Sequence, residues 1–157
     1  MIEQMPLYIH MIFSFLAAAG FAFFQNAPRK TIFIAAGVGM VCWIVYILLM
    51  RMHADVMFSN FIAAAMASFM SENLSIKLKK PTILFVIPGI INLIPGLGLY
   101  NTMFYMLEGK FDQSLATGAK VIFASGSISL GVIVASSLFR TYHSWKYNKY
   151  KNNACQK

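Results

Sequence analysis

Five stretches of this chain are long enough and apolar enough to cross a lipid bilayer. They lie at about residues 7–24, 31–50, 56–76, 82–107 and 114–139. A helix needs roughly 20 such residues to span about 30 Å of hydrocarbon, and a bilayer admits only helices or closed barrels. The sequence therefore predicts an all-α polytopic membrane helix bundle with five transmembrane helices. All of residues 1–157 belong to this single transmembrane domain.

Composition supports this prediction against a soluble alternative. Hydrophobic residues make up 59% of the chain and charged residues 11%, whereas soluble domains average roughly 45–50% and about 25%. The sequence has no H-E-x-x-H motif, no pair of intramembrane aspartates and no Gly-Lys phosphate loop, so it does not indicate an enzyme. Its two cysteines, Cys42 and Cys155, lack metal-binding spacing, and we expect no metal and no cofactor.

The distribution of Lys and Arg sets the expected orientation. Ten of the 13 basic residues follow the first, third and fifth spans, whereas Arg51 and Lys110 lie on the opposite side. Because cytoplasmic loops carry the excess positive charge, we expect the N-terminus outside and a basic cytoplasmic tail at residues 140–157. Aromatic residues alternate with cations in this tail. That mixture is typical of a membrane interface, so the predicted partner is lipid and not nucleic acid.

Small residues recur at every fourth position in three of the spans. The three sets are Ser14, Ala18 and Ala22; Ala63, Ala67 and Ser71; and Ser127, Gly131 and Ala135. Stripes of this kind let helix backbones approach closely in a membrane. They predict the packing faces of the bundle.

The fourth span contains an unusual cluster of proline and glycine. An unbroken helix over residues 82–107 would measure roughly 39 Å, which exceeds the hydrocarbon thickness by about a third. Pro88 and Pro95 each remove a backbone donor, and Gly89, Gly96 and Gly98 loosen the helix. The sequence predicts two half-helices joined by an irregular stretch near residues 92–98, close to mid-membrane.

An irregular backbone at that depth has a functional interpretation. Its unpaired groups are tolerated only inside protein or beside a wet cavity. Asn92 and Asn101 supply polarity there, and Pro95 suits the first position of the second half-helix, whose free N–H groups attract anions. We predict a site for a small carboxylate-bearing substrate that includes Gly96 and Gly98. The alternative is a proline kink that serves packing alone.

Three segments resemble a known family. They are GFAFFQNAPRK, IINLIPGLGLYNTMFYMLEGKF and SGSISLGVIVASSLFR. Together they resemble the small-subunit type of the threonine/serine exporter family, often called YjjB-like, in order and over nearly the whole chain. The most specific part is Pro95-Gly96 followed by Tyr100. We transfer only these three positions from the family motif to the predicted site, and Tyr100 is added to the site on this basis.

The resemblance implies a multi-pass subunit of the bacterial inner membrane that works with a second membrane subunit of the same superfamily. In fused members the two halves form one exporter. The implied cargo is threonine, serine or succinate, and we expect proton motive force to drive export. Asn92 departs from the family pattern, in which relatives often have a proline three residues before Pro-Gly. A homo-oligomer, or a scaffold subunit that does not transport, are the alternatives.

Charges near the spans are further candidates for function. Glu72 is expected either to anchor the cytoplasmic boundary, by reaching toward Lys77 or lipid headgroups, or to couple transport to protons. Lys120 is expected either to snorkel outward or to bind a cargo carboxylate. His10 and Trp43 are interpreted as packed or interfacial groups and not as ligands.

Overall fold

The computed structural model describes residues 6–155, with side chains up to residue 143 and at residue 145. Each regular element in this part of the chain is helical. The helices are α1 (Leu7–Phe24), α2 (Arg29–Arg51), α3 (Val56–Leu78), α4 (Ile83–Ile90), α5 (Gly96–Leu107) and α6 (Phe111–Cys155), with a 3₁₀ turn at Ile91–Leu93 between α4 and α5. Lys157 and the side chains of the tail cations Lys146, Lys149 and Lys151 lie outside the described part.

The all-α prediction is confirmed, but the count of five spans is not. By length and composition, α1, α2 and the first 33 residues of α6 could each cross a membrane, and the bent pair of α4 and α5 could be a fourth span. The remaining long helix, α3, has 23 residues. It is long enough to span, but polar residues including Asn60 and Glu72 lower its hydropathy.

The sixth helix is longer than the sequence predicted. We expected a span at about 114–139 followed by a tail, whereas α6 runs without interruption from Phe111 to Cys155. No proline or glycine follows Gly131 to end the helix. The first part of the basic tail is therefore helical.

The predicted small-residue stripes lie on the packing faces. Eight of the nine residues are buried: Ser14, Ala18, Ala22, Ala63, Ala67, Ser71, Gly131 and Ala135. At Gly131, an added Cβ would lie 2.5 Å from the backbone oxygen of Phe61. Close backbone approach at this point explains why α3 and α6 form the most extensive helix pair in the bundle.

The fourth predicted span is interrupted at Ile94 and Pro95, and its two parts are bent by 56°. Proline disfavours the α conformation in the residue before it, and Ile94 is accordingly extended. Pro88 and Gly89 lie inside α4. One detail of the prediction was wrong, since Pro95 is not the first helical residue but immediately precedes that residue, Gly96. The irregular stretch is therefore shorter than residues 92–98.

Candidate functional site

Asn92 connects the break to the two N-terminal helices. Its amide nitrogen donates hydrogen bonds to the backbone oxygens of Ser14 at 3.1 Å and Gly39 at 3.5 Å. These contacts place the polar Asn92 side chain between α1 and α2. Its acceptors are backbone oxygens that lie within the two helices. Within the described residues, the Asn92 amide oxygen has no hydrogen-bond partner, so it is available as an acceptor.

Gly39 of α2 lets α1 and α4 pack closely against α2 because it has no side chain. A Cβ at Gly39 would lie 2.6 Å from the Ala18 Cβ and 2.8 Å from the Pro88 oxygen. Atoms cannot approach so closely without a backbone shift. Gly39 therefore allows α1, α2 and α4 to pack together just before the break. This close packing brings the Asn92 side chain within reach of its two backbone acceptors.

Asn92 also lines an open crevice of about 450 Å³ between α1, α2 and the 3₁₀ turn. The other lining residues are Ile9, His10, Phe13, Ser14, Ala17 and Trp43. The crevice has aromatic and aliphatic walls with a few polar groups, which is the usual composition of a small-molecule site. None of its lining residues is an aspartate, glutamate, lysine or arginine.

His10 is a packed residue, as the sequence analysis interpreted it, and it also lines the crevice. It is buried and accepts a hydrogen bond at Nδ1 from the Trp43 indole at 3.4 Å. Because an indole N–H can only donate, this contact puts the imidazole proton on Nε2 in the neutral form. A signal was present in the sequence, since His10 precedes Ser14, Ala18 and Ala22 at the same four-residue spacing and so shares their face.

The remaining predicted site residues lie elsewhere. None of residues 95–101 lines the crevice. Gly98 faces α6, where an added Cβ would lie 2.6 Å from a methyl group of Val121, whereas a Cβ at Gly96 would meet open space. Tyr100 and Asn101 are exposed, and Tyr100 stacks on Phe104. The break thus separates Asn92 from the rest of the predicted set.

Glu72 is buried where α3, α4 and α6 converge. Its carboxylate accepts a hydrogen bond from the Thr82 hydroxyl at 3.3 Å and lies 3.9 Å from Nε of Arg140. Of the two expected anchors, Lys77 is exposed and lies five residues further along α3, a spacing that does not bring two side chains onto the same helix face. The partners of the carboxylate are Thr82 and Arg140 instead, and anchoring at lipid headgroups stays a prediction.

The other charges lie on the surface. Lys120 is exposed on α6, next to the Val121 side chain that packs on Gly98. In the loop between α5 and α6, Lys110 pairs with Glu108 at 2.8 Å. The hydrogen bond and negative charge of Glu108 raise the pKa of Lys110.

Comparison with known proteins identifies relatives of the chain. A family model described as "Threonine/Serine exporter, ThrE" matches residues 10–138. A Haemophilus influenzae protein described as an uncharacterized protein is 25% identical over 146 residues, which cover 88% of this chain and 49% of that protein. The chain therefore spans about half the length of this relative. No solved structure matches it.

Proposed function

The chain belongs to the threonine/serine exporter family, and from this premise we propose that it is a subunit of a small-metabolite exporter in the bacterial inner membrane. The proposed cargo is threonine, serine or a small dicarboxylate such as succinate. We propose proton motive force as the energy source and no enzymatic activity. The observation that carries the proposal is that the break in the fourth predicted span presents Asn92 to a crevice.

We propose that α3 is the fifth membrane span. The polar residues that lower its hydropathy are buried in the bundle: Ser59, Asn60, Ser68, Ser71 and Glu72. Its exposed residues include Met57, Phe58, Met66 and Phe69, which suit lipid. A helix inside the bundle needs apolar residues only on the face that contacts lipid. Its mean hydropathy is therefore low even when it spans the membrane. Five spans would place the two termini on opposite sides of the membrane, and the Lys and Arg distribution favours an outside N-terminus and a cytoplasmic tail.

We propose that cargo binds in the crevice between Asn92 and Trp43. The Asn92 amide oxygen would accept a hydrogen bond from a cargo ammonium or hydroxyl, and Trp43 would cover the aliphatic part. The start of α5 is the second proposed position, for the cargo carboxylate. There Pro95 precedes α5, and Gly96 and Gly98 lie in its first turn, where N–H groups without helical partners favour an anion. Lys120 lies on α6 next to Val121, which packs on Gly98.

A second membrane subunit is proposed because this chain corresponds to about half of its longer relative. The exposed helix α5 favours the same conclusion, since none of its residues is buried. It also supports the competing function, a scaffold subunit that docks a transporting partner. In that case the break would shape a docking surface without contacting cargo. In a homo-oligomer, a second copy of this chain would cover the exposed surface of α5 instead of a different subunit.

Efflux measurements separate these functions. Cells preloaded with labelled threonine, serine or succinate would express this chain with and without a second family member. We expect faster efflux with both, at least a tenfold loss with Asn92→Leu, a smaller loss with Gly96→Leu, and less than a twofold change with the exposed control Asn101→Leu. A tenfold ratio corresponds to about 1.4 kcal/mol, the scale of one hydrogen bond. Unchanged efflux with Asn92→Leu and Gly96→Leu in correctly inserted protein would refute both proposed positions.

A further inference from the structure

The Glu72 carboxylate is the one acidic group buried within the described helices, and charged groups at such positions are costly unless they have partners. One oxygen, Oε1, faces Nε of Arg140 at 3.9 Å, and the other, Oε2, accepts from Thr82 at 3.3 Å. Each carboxylate oxygen thus contacts a different helix. The side chain links α3, on which it lies, to both α4 and α6.

The link matters because α4 and α6 make almost no direct contact with each other. Thr82 precedes the first turn of α4, yet its hydroxyl does not cap that helix and is directed to Glu72 instead. Arg140 remains largely exposed, with 78% of its side chain accessible. At this end of the bundle, the carboxylate is therefore a principal connection between α4 and α6.

The chemistry of this connection depends on one proton. The ionised carboxylate is an acceptor at both oxygens and attracts the guanidinium, whereas the protonated acid loses its charge and gains a donor. The separation from Arg140 exceeds hydrogen-bond length, so the attraction is mainly electrostatic and ends when the charge is neutralised. Protonation would release Arg140 and weaken the contact with Thr82.

We propose that Glu72 is the proton-responsive residue of the transport cycle, with Arg140 and Thr82 as its positioning residues. This inference rests on the proposed exporter function. When ionised, Glu72 holds α4 and α6 together and closes the cytoplasmic end. When a proton that has entered from the outer side binds to a carboxylate oxygen, the two helices separate and cargo can enter. The proton then passes to cytoplasmic water, and the connection forms again, so one proton moves inward in each cycle.

Other ionisable groups at this end leave the assignment to Glu72 intact. They are Lys77 on α3, Lys79 and Lys80 before α4, His143 on α6, and Arg29 and Lys30 at the start of α2, and all of them are exposed. The lysines and arginines stay charged across the physiological range. His143, which stacks on Phe139, is the one imidazole among these groups and therefore needs its own control.

The test is a distance measured in vesicles without cargo or partner. Spin labels would be attached at Ile83→Cys on α4 and Thr141→Cys on α6, both exposed positions, with Cys42 and Cys155 replaced by alanine. As the pH is lowered, we expect the ratio of the longer-distance population to the shorter-distance population to grow by up to about tenfold per pH unit, the slope for binding of one proton. Glu72→Gln should show the longer distance throughout.

Control variants make the result decisive. Glu108→Gln, which removes a paired carboxylate at the opposite end, and His143→Gln should respond to pH as the unsubstituted protein does. Thr82→Val and Arg140→Gln should shift opening to higher pH, because each removes a stabilising partner of the ionised form. A Glu72→Gln protein with the short distance and a normal pH response would overturn the proposal. If Glu72→Gln fails to insert, unchanged opening in both Thr82→Val and Arg140→Gln would overturn it.

The same measurement separates this inference from the proposed function. A pH-dependent distance that requires Glu72, in a protein that exports none of the three cargos, would retain the helix connection and remove the exporter assignment. Export without a pH-dependent distance would remove only the role of Glu72. A pH-dependent distance together with export that is lost in Glu72→Gln and retained in Glu108→Gln would support both.

Discussion

The two halves of the broken helix have opposite environments. The first half, α4 and the 3₁₀ turn, buries Phe85, Pro88, Gly89 and Leu93 against α1, α2 and α3. The second half, α5, buries none of its residues and packs mainly on α6. The proline and glycine residues that form one cluster in the sequence therefore have two different roles. Pro88 and Gly89 lie in the closely packed first half, and Pro95 lies at the bend where the chain leaves the bundle.

The largest expected effect is at the buried half. Gly39→Ala would force a Cβ against the Ala18 side chain and the Pro88 backbone oxygen. We expect a loss of about 3 kcal/mol in stability, because backbone atoms must move. The thermal unfolding midpoint of the purified protein in detergent would measure this loss.

Two glycine variants provide matched comparisons for Gly39→Ala. At Gly37 an added Cβ meets nothing within 4 Å, and at Gly98 it meets a Val121 methyl group on the exposed half. The intrinsic helical gain of about 1 kcal/mol for replacing glycine by alanine should make Gly37→Ala stabilising and Gly98→Ala nearly neutral. Equal losses in Gly39→Ala and Gly98→Ala would contradict the contrast between the halves.

The bend itself offers the next prediction. In Pro95→Ala the restriction on Ile94 is removed, and the two halves can approach a continuous helix. Spin labels at the exposed positions Ile83 and Leu107 should move apart by about 4 Å, given a rise of 1.5 Å per residue and the present bend of 56°. Pro88→Ala is the control, since α4 is helical around Pro88 already, and the distance should not change. If the bend persists in Pro95→Ala, tertiary packing and not Pro95 causes it.

The smallest effect is expected at Tyr100. Its ring is 63% exposed and stacks on Phe104, outside the crevice. Tyr100→Ala should therefore change efflux by less than about twofold, a free energy within the range of ordinary surface substitutions. Tyr100→Phe, which removes only the hydroxyl, should have no effect. A tenfold loss in either variant would restore Tyr100 to the cargo site that the family resemblance implied.

The helices and their packing faces could be predicted because both depend on local sequence. Apolar runs set the helix positions, and the four-residue stripes set the buried faces of α1, α3 and α6. The end of α6 was missed because the tail contains no proline or glycine that would stop the helix after the apolar run ends. The span count depends on where α3 sits in the bundle, and its own composition does not reveal that position.

The candidate site was only partly predictable, for a different reason. Asn92 was identified from the break around it. Its contacts with Ser14 and Gly39 join residues 78 and 53 positions apart, and no local pattern reports such pairs. The Arg140 partner of Glu72 is equally remote in sequence. The position of His10 could have been inferred, because the stripe of small residues on α1 extends to it.

The most direct test of the account is protection of a cysteine placed in the crevice. Ala17→Cys lines the crevice and Ala116→Cys lies on an exposed part of α6 outside it, each in a protein with Cys42 and Cys155 replaced by alanine. Vesicles would be treated with a thiol-alkylating reagent in the presence of threonine, serine or succinate. The account predicts that the transported cargo slows alkylation at position 17 and leaves position 116 unchanged. Equal rates at position 17 with and without a cargo that the same vesicles transport would contradict it.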